Sequence, residues 1–127
     1  MEEEILEEIL KHREKNFAEF LFQLIEEENL TASDIYHKAG LHRKIFSDIR
    51  HKKKYLPSKE TIIKIIFALE LSIDDAQKLL SKAGYTLSKS NDFDLIVTHF
   101  ISTKNFNLSE IDAELYKRNL PCIFSKK

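Results

Sequence analysis

Only two glycines and two prolines occur in the 127 residues of this chain, so long irregular loops and tight β-hairpins have little to be built from. One cysteine, Cys122, excludes an internal disulfide framework and leads us to expect a reducing cytoplasm. Tryptophan is missing, while Lys and Ile abound, a bias expected of an AT-rich bacterial genome. No apolar run approaches the roughly 20 residues of a membrane span, so no membrane partner is expected. The chain starts with the acids Glu2, Glu3 and Glu4, the reverse of a secretory leader. What remains is 43% hydrophobic and 32% charged, the composition of an ordinary folded domain.

The formal net charge of −1 hides a strong asymmetry. Between Lys38 and Lys64 nine Lys/Arg face two acids, a net +7, whereas residues 1–28 hold ten Glu against three basic residues, a net −7. A basic block of that density is either a solvated lysine-rich face or the footprint of a polyanion-binding surface.

Apolar spacing reads as helix throughout. Ile5, Leu6, Ile9 and Leu10, then Phe17, Phe20, Leu21, Leu24 and Ile25, recur at the i, i+3, i+4, i+7 spacing expected of one buried face, with one helix or two broken near Lys15 and Asn16. Later helix starts carry cap signatures. Thr31 precedes Asp34 by three residues, as Ser72 precedes Asp75, Asn91 precedes Asp94 and Asn107 precedes Glu110. Ser58 follows Pro57 and opens the run to Leu69. In each pair the first side chain can accept an orphan backbone N–H while the acid sits in the positive first turn. Helices are therefore expected at about 32–39, 42–51, 59–70, 73–83, 91–103 and 108–118, with Gly40 and Gly84 ending two of them and Asn119 with Pro121 ending the last.

The informative stretch is 31–51, TASDIYHKAGLHRKIFSDIRH. Two short helices follow one another across a turn at Gly40. Helices that short cannot bury their own faces, so Ile35, Ala39, Leu41, Ile45 or Phe46, and Ile49 must pack on neighbours. That leaves His42, Arg43, Lys44, Ser47 and Arg50 exposed on the second helix. The second helix of such a pair is the one that enters a DNA major groove. Arg, Lys, His and Ser there can pair with phosphates and read guanine or thymine edges.

Residues 17–80 resemble the lambda-repressor-like, or Xre-like, helix-turn-helix family of bacterial and phage DNA-binding domains. The resemblance rests on Leu30-Thr31, Gly40-Leu41-His42, Ile45-Phe46-Ser47-Asp48-Ile49, Pro57-Ser58-Lys59-Glu60-Thr61 and Ala68-Leu69-Glu70-Leu71-Ser72-Ile73-Asp74, in that order and spacing. It implies an all-α chain: a five-helix core with an acidic N-terminal helix and a C-terminal helical extension. The expected division is an acidic amphipathic segment at 1–16, a helix-turn-helix domain at 17–85 and a two-helix extension at 86–127. Two departures bear on function. The Gln that family members usually carry after Leu-Thr is Ala32 here, which can neither brace the second helix nor touch phosphate. The usual Glu-x-Gly after the second helix is replaced by Arg50-His51-Lys52-Lys53-Lys54, which adds phosphate affinity.

Other chemistries find no pattern. The five histidines (His12, His37, His42, His51 and His99) do not take zinc spacing with a single cysteine. Two glycines cannot build a phosphate-cradling loop, and no local signature supports nucleophilic catalysis, so neither enzyme nor cofactor is expected. Phe17, Phe20, Phe22, Phe93, Phe100 and Phe106 read as core, Cys122 as a small hydrophobe, and Tyr55 as either packing or a nucleic-acid contact.

The resemblance and the charge pattern together lead us to expect a cytoplasmic, sequence-specific transcription regulator that binds double-stranded DNA as a homodimer. His42, Arg43, Lys44, Ser47 and Arg50 are the expected base-facing residues, and Lys38, Lys52, Lys53, Lys54 and Lys59 the expected phosphate-facing ones. The rival is an interaction module of the same fold (adaptor, antitoxin-like or defence-associated) that holds protein or RNA without specific DNA binding. A protein partner is expected through residues 1–28 or 86–127, and the dimer contacts are expected to include residues 91–118 or the first helix.

Overall fold

The computed structural model describes residues 2–125, and every regular element among them is an α-helix. They are α1 (Glu2–Lys11), α2 (Phe17–Glu27), α3 (Ala32–Ala39), α4 (Arg43–His51), α5 (Lys59–Leu69), α6 (Ile73–Lys82), α7 (Asp92–Ser102) and α8 (Leu108–Lys117). None is long and apolar enough to cross a membrane. The later helices lie within a residue or two of the positions expected from caps and periodicity. Thr31, Ser58, Ser72, Asn91 and Asn107 are all N-caps whose side chains accept the amide three residues on.

Residues 2–28 form two helices. Asn16 caps α2 in a reciprocal box: its side chain accepts the Glu19 amide at 2.9 Å while Glu19 accepts the Asn16 amide at 3.0 Å. The chain between the helices is held by Lys82, whose ammonium donates to the Lys15 carbonyl. The break is thus the second of the two expected alternatives, and the expectation of one buried face holds for α2 only. Phe17, Phe20, Leu21, Leu24 and Ile25 of α2 enter the core, but α1 buries no residue at all.

Glycine is scarce because most helix ends here manage without it. Six residues after helices adopt the left-handed conformation, and four are not glycine: Asn29, Glu70, Lys104 and Asn119 join Gly40 and Gly84. After each, the next amide reaches back five residues to a helical carbonyl, as in Leu41 to Tyr36 at 2.8 Å, Leu71 to Ile66 at 3.2 Å and Leu120 to Leu115 at 2.9 Å. That is the Schellman closure, and the apolar residue that accompanies it turns the chain back onto the body.

α5 is the central helix. Seven of its eleven residues, Ile62, Ile63 and Ile65 to Leu69, are buried, the pattern of a helix surrounded on all sides. α3 packs along it, α6 folds back beside it, and α7 and α8 form a hairpin. Phe67 meets both Phe106 and Phe124 with ring centres 5.6 Å apart. One continuous core therefore runs from Phe17 to Ile123, and residues 86–125 share it with the preceding helices.

Candidate nucleic-acid interface

α3 and α4 are joined by Gly40, at φ +69°, and by Leu41. Ile35 and Ala39 of α3 and Phe46 and Ile49 of α4 are buried; Leu41 and Ile45 are half-buried, so of the two candidates Phe46 is the core residue. Phe46 fixes the orientation of α4. Its ring lies 5.9 Å from Tyr36 of α3 and 6.4 Å from Phe22 of α2.

With Phe46 and Ile49 inward, the opposite face of α4 is open. At about 100° per residue, Arg43, Lys44, Ser47, Arg50 and His51 fall within about one third of the helix circumference, with Ser47 near its middle. All five are exposed. His42 lies outside the helix: it is the N-cap, and its ring Nδ1 accepts the Lys44 amide at 3.1 Å. That bond requires an unprotonated Nδ1, so His42 organises the start of α4 as well as standing exposed beside it.

The expected basic residues divide by partner. Arg43, Lys53 and Lys54 are exposed and make no ion pair among the described residues. Lys44 and Lys52 converge on Asp48, at 3.4 and 3.3 Å, from one turn before and one turn after it. Partial burial opposes ionisation of Asp48, but the hydrogen bond from Lys52 and the charges of Lys44 and Lys52 outweigh it and hold the carboxyl below its ordinary value. Arg50 places its guanidinium 4.1 Å over the Phe22 ring, which draws it toward α2. Lys38 pairs at the surface with Glu70 at 3.0 Å.

Lys59 departs from the phosphate-facing role expected of it. Its ammonium donates to both oxygens of Asp94, at 2.9 and 2.8 Å, and Asp94 is only 2% exposed. Asp94 also accepts the Ser88 amide at 2.8 Å. Releasing Lys59 to a phosphate would leave a buried carboxylate without its cation. The pairing spans 35 residues, so the basic block in the sequence could not reveal it.

Asp112 is a second buried acid that the sequence pattern did not single out. It accepts amides of Ile123, Phe124 and Ser125 and so binds the C-terminal segment to α8. Cys122 is half-buried beside it and donates to the Asp112 carbonyl at 3.5 Å. Tyr55 is half-buried and packs against the core. Among the described residues no three His, Cys, Asp or Glu gather as metal ligands do.

Compared with known proteins, the chain matches no family model, no curated protein and no solved structure.

Proposed function

We propose that this chain is a helix-turn-helix DNA-binding regulator in which α4 is the recognition helix and the protein acts as a dimer on paired half-sites. The observation that carries the reading is the face of α4. A short helix is held rigidly from behind by Phe46 and Ile49 and offers Arg43, Lys44, Ser47, Arg50 and His51 on one open arc. The N-terminal end of such a helix faces base edges. Arg43 is the strongest candidate for a base contact, being exposed, at the first helical position and without an ion pair among the described residues. Ser47, one turn on, is next. Lys53 and Lys54 supply phosphate contacts, Lys52 and Lys44 contribute once Asp48 is outcompeted, and Lys59 is excluded by Asp94.

A second reading, an interaction module for protein or RNA, is favoured by Ala32 in the place of the bracing Gln and by the two lysines that Asp48 partly neutralises. Selection of bound duplexes from a random pool by the full chain separates the two. The DNA reading predicts enrichment of a motif with two half-sites about one helical turn apart. An unenriched pool supports the interaction module.

A further inference from the structure

The least explained surface of the molecule is α1. Ile5, Leu6, Ile9 and Leu10 are 63, 54, 61 and 55% exposed, and no residue of the helix is buried. At about 100° per residue these four side chains form one continuous apolar stripe. Glu4, Glu7 and Glu8 point away from it. Glu2 continues the stripe at its N-terminal end. His12 and Arg13 prolong the helix by one tighter turn, their amides reaching Ile9 and Leu10, and Arg13 continues the stripe at the other end. The stripe is thus apolar in the middle, acidic at one end and basic at the other.

We propose that α1 pairs antiparallel with α1 of a second copy of this chain. A two-fold axis between Glu7 and Glu8 sets Leu6 against Ile9 of the second copy, with Ile5 and Leu10 flanking that central pair. The same axis brings Glu2 to Arg13 of the second copy at both ends of the contact. Parallel pairing would stack the acidic ends on each other, which the charges oppose. The self-complementarity lies in positions that sum to the same number, as an isologous contact requires.

The helix is about 15 Å long, so the contact is smaller than the roughly 800 Å² per partner of a standard stable interface. The pair is therefore weak alone. It suffices where two copies are already held close, because adjacent half-sites raise the effective concentration to about the millimolar range. The proposal names the interface of the dimer in the reading above. Its test uses no DNA, so its failure leaves the role of α4 standing.

Sedimentation equilibrium of the full chain across micromolar to millimolar concentrations should show a monomer giving way to a dimer. The Leu6→Glu/Ile9→Glu variant should remain monomeric throughout. Its thermal unfolding should match wild type, because α1 contributes nothing to the core. For orientation, E2C and R13C are each made in a C122S background. Oxidised together they should cross-link several-fold faster than either alone. A wild-type chain that stays monomeric at millimolar concentration overturns the proposal. So does a dimer that survives the double Glu substitution, or E2C cross-linking to itself faster than to R13C.

Discussion

The Lys59 ammonium bridges both carboxylate oxygens of Asp94, at 2.9 and 2.8 Å, and so ties the first turn of α5 to the first turn of α7. Asp94 is almost wholly buried, while the Lys59 side chain keeps 29% of its surface. Removing the cation is therefore worse than removing the acid. Lys59→Ala should destabilise the fold by about 2–4 kcal/mol, near the range for breaking a buried pair. Asp94→Asn, which keeps an acceptor for the Ser88 amide and leaves Lys59 a path to water, should cost less. In the double variant Lys59→Ala/Asp94→Asn the cost should fall below the sum of the two, as a denaturant titration would show. A Lys59→Ala protein of wild-type stability would contradict the structural role.

Asp48 acts as a brake on the proposed interface, since it holds Lys44 and Lys52. Asp48→Asn should tighten binding to any duplex and steepen its salt dependence by up to about two units of log–log slope, one per released lysine. The pH dependence follows from the sign of the shift. The Asp48 carboxyl is held below its ordinary value of 3.8, so its contribution to α4 is present above that value and lost as pH falls through the lower folded value. Between about pH 5 and 8 the brake is fully engaged. Duplex binding at fixed salt should show no pH dependence arising from Asp48 there, and the ratio of Asp48→Asn to wild-type affinity should stay level above one. A ratio that changes across that window would contradict the assignment.

Lys104 ends α7 with φ +57°, a conformation in which a side chain carries strain. Glycine relieves that strain, and part of the gain is offset by the freer unfolded chain. Lys104→Gly should stabilise the protein by about 0.5 kcal/mol, or about 1 at most. The same change at Gln77, inside α6, should destabilise by about 1 kcal/mol. Paired thermal melts of the two variants check both signs.

Helix starts were legible because their signals are local. Thr31, Ser58, Ser72, Asn91 and Asn107 each cap a helix through an amide three residues away. The Asn16–Glu19 box carries the same signal and decides the break between α1 and α2, yet the strong apolar period running across it obscured it. His42 was less legible as a cap, because histidine seldom serves there. The exposed face of α4 followed from periodicity once Phe46 and Ile49 were taken inward. Periodicity showed that α1 is amphipathic but could not show that its stripe faces outward, since that depends on where the chain turns at residues 12–16. Charge counting placed Lys59 with the phosphate-facing lysines; only the fold brings Asp94 to it.

The central claim is that α4 reads base edges while the lysines after it hold phosphates, and a salt titration tests it most directly. Wild type, Arg43→Ala and Lys52→Ala/Lys53→Ala/Lys54→Ala are titrated against a selected site and a random duplex. The triple variant should weaken both duplexes about equally and flatten the log–log salt slope by up to about three units, with Lys53 and Lys54 dominating because Lys52 is shared with Asp48. Arg43→Ala should cost about 1–3 kcal/mol on the selected site and much less on the random one. Two variants that behave alike, each losing the same affinity on both duplexes, would contradict base reading by α4 and favour the interaction module.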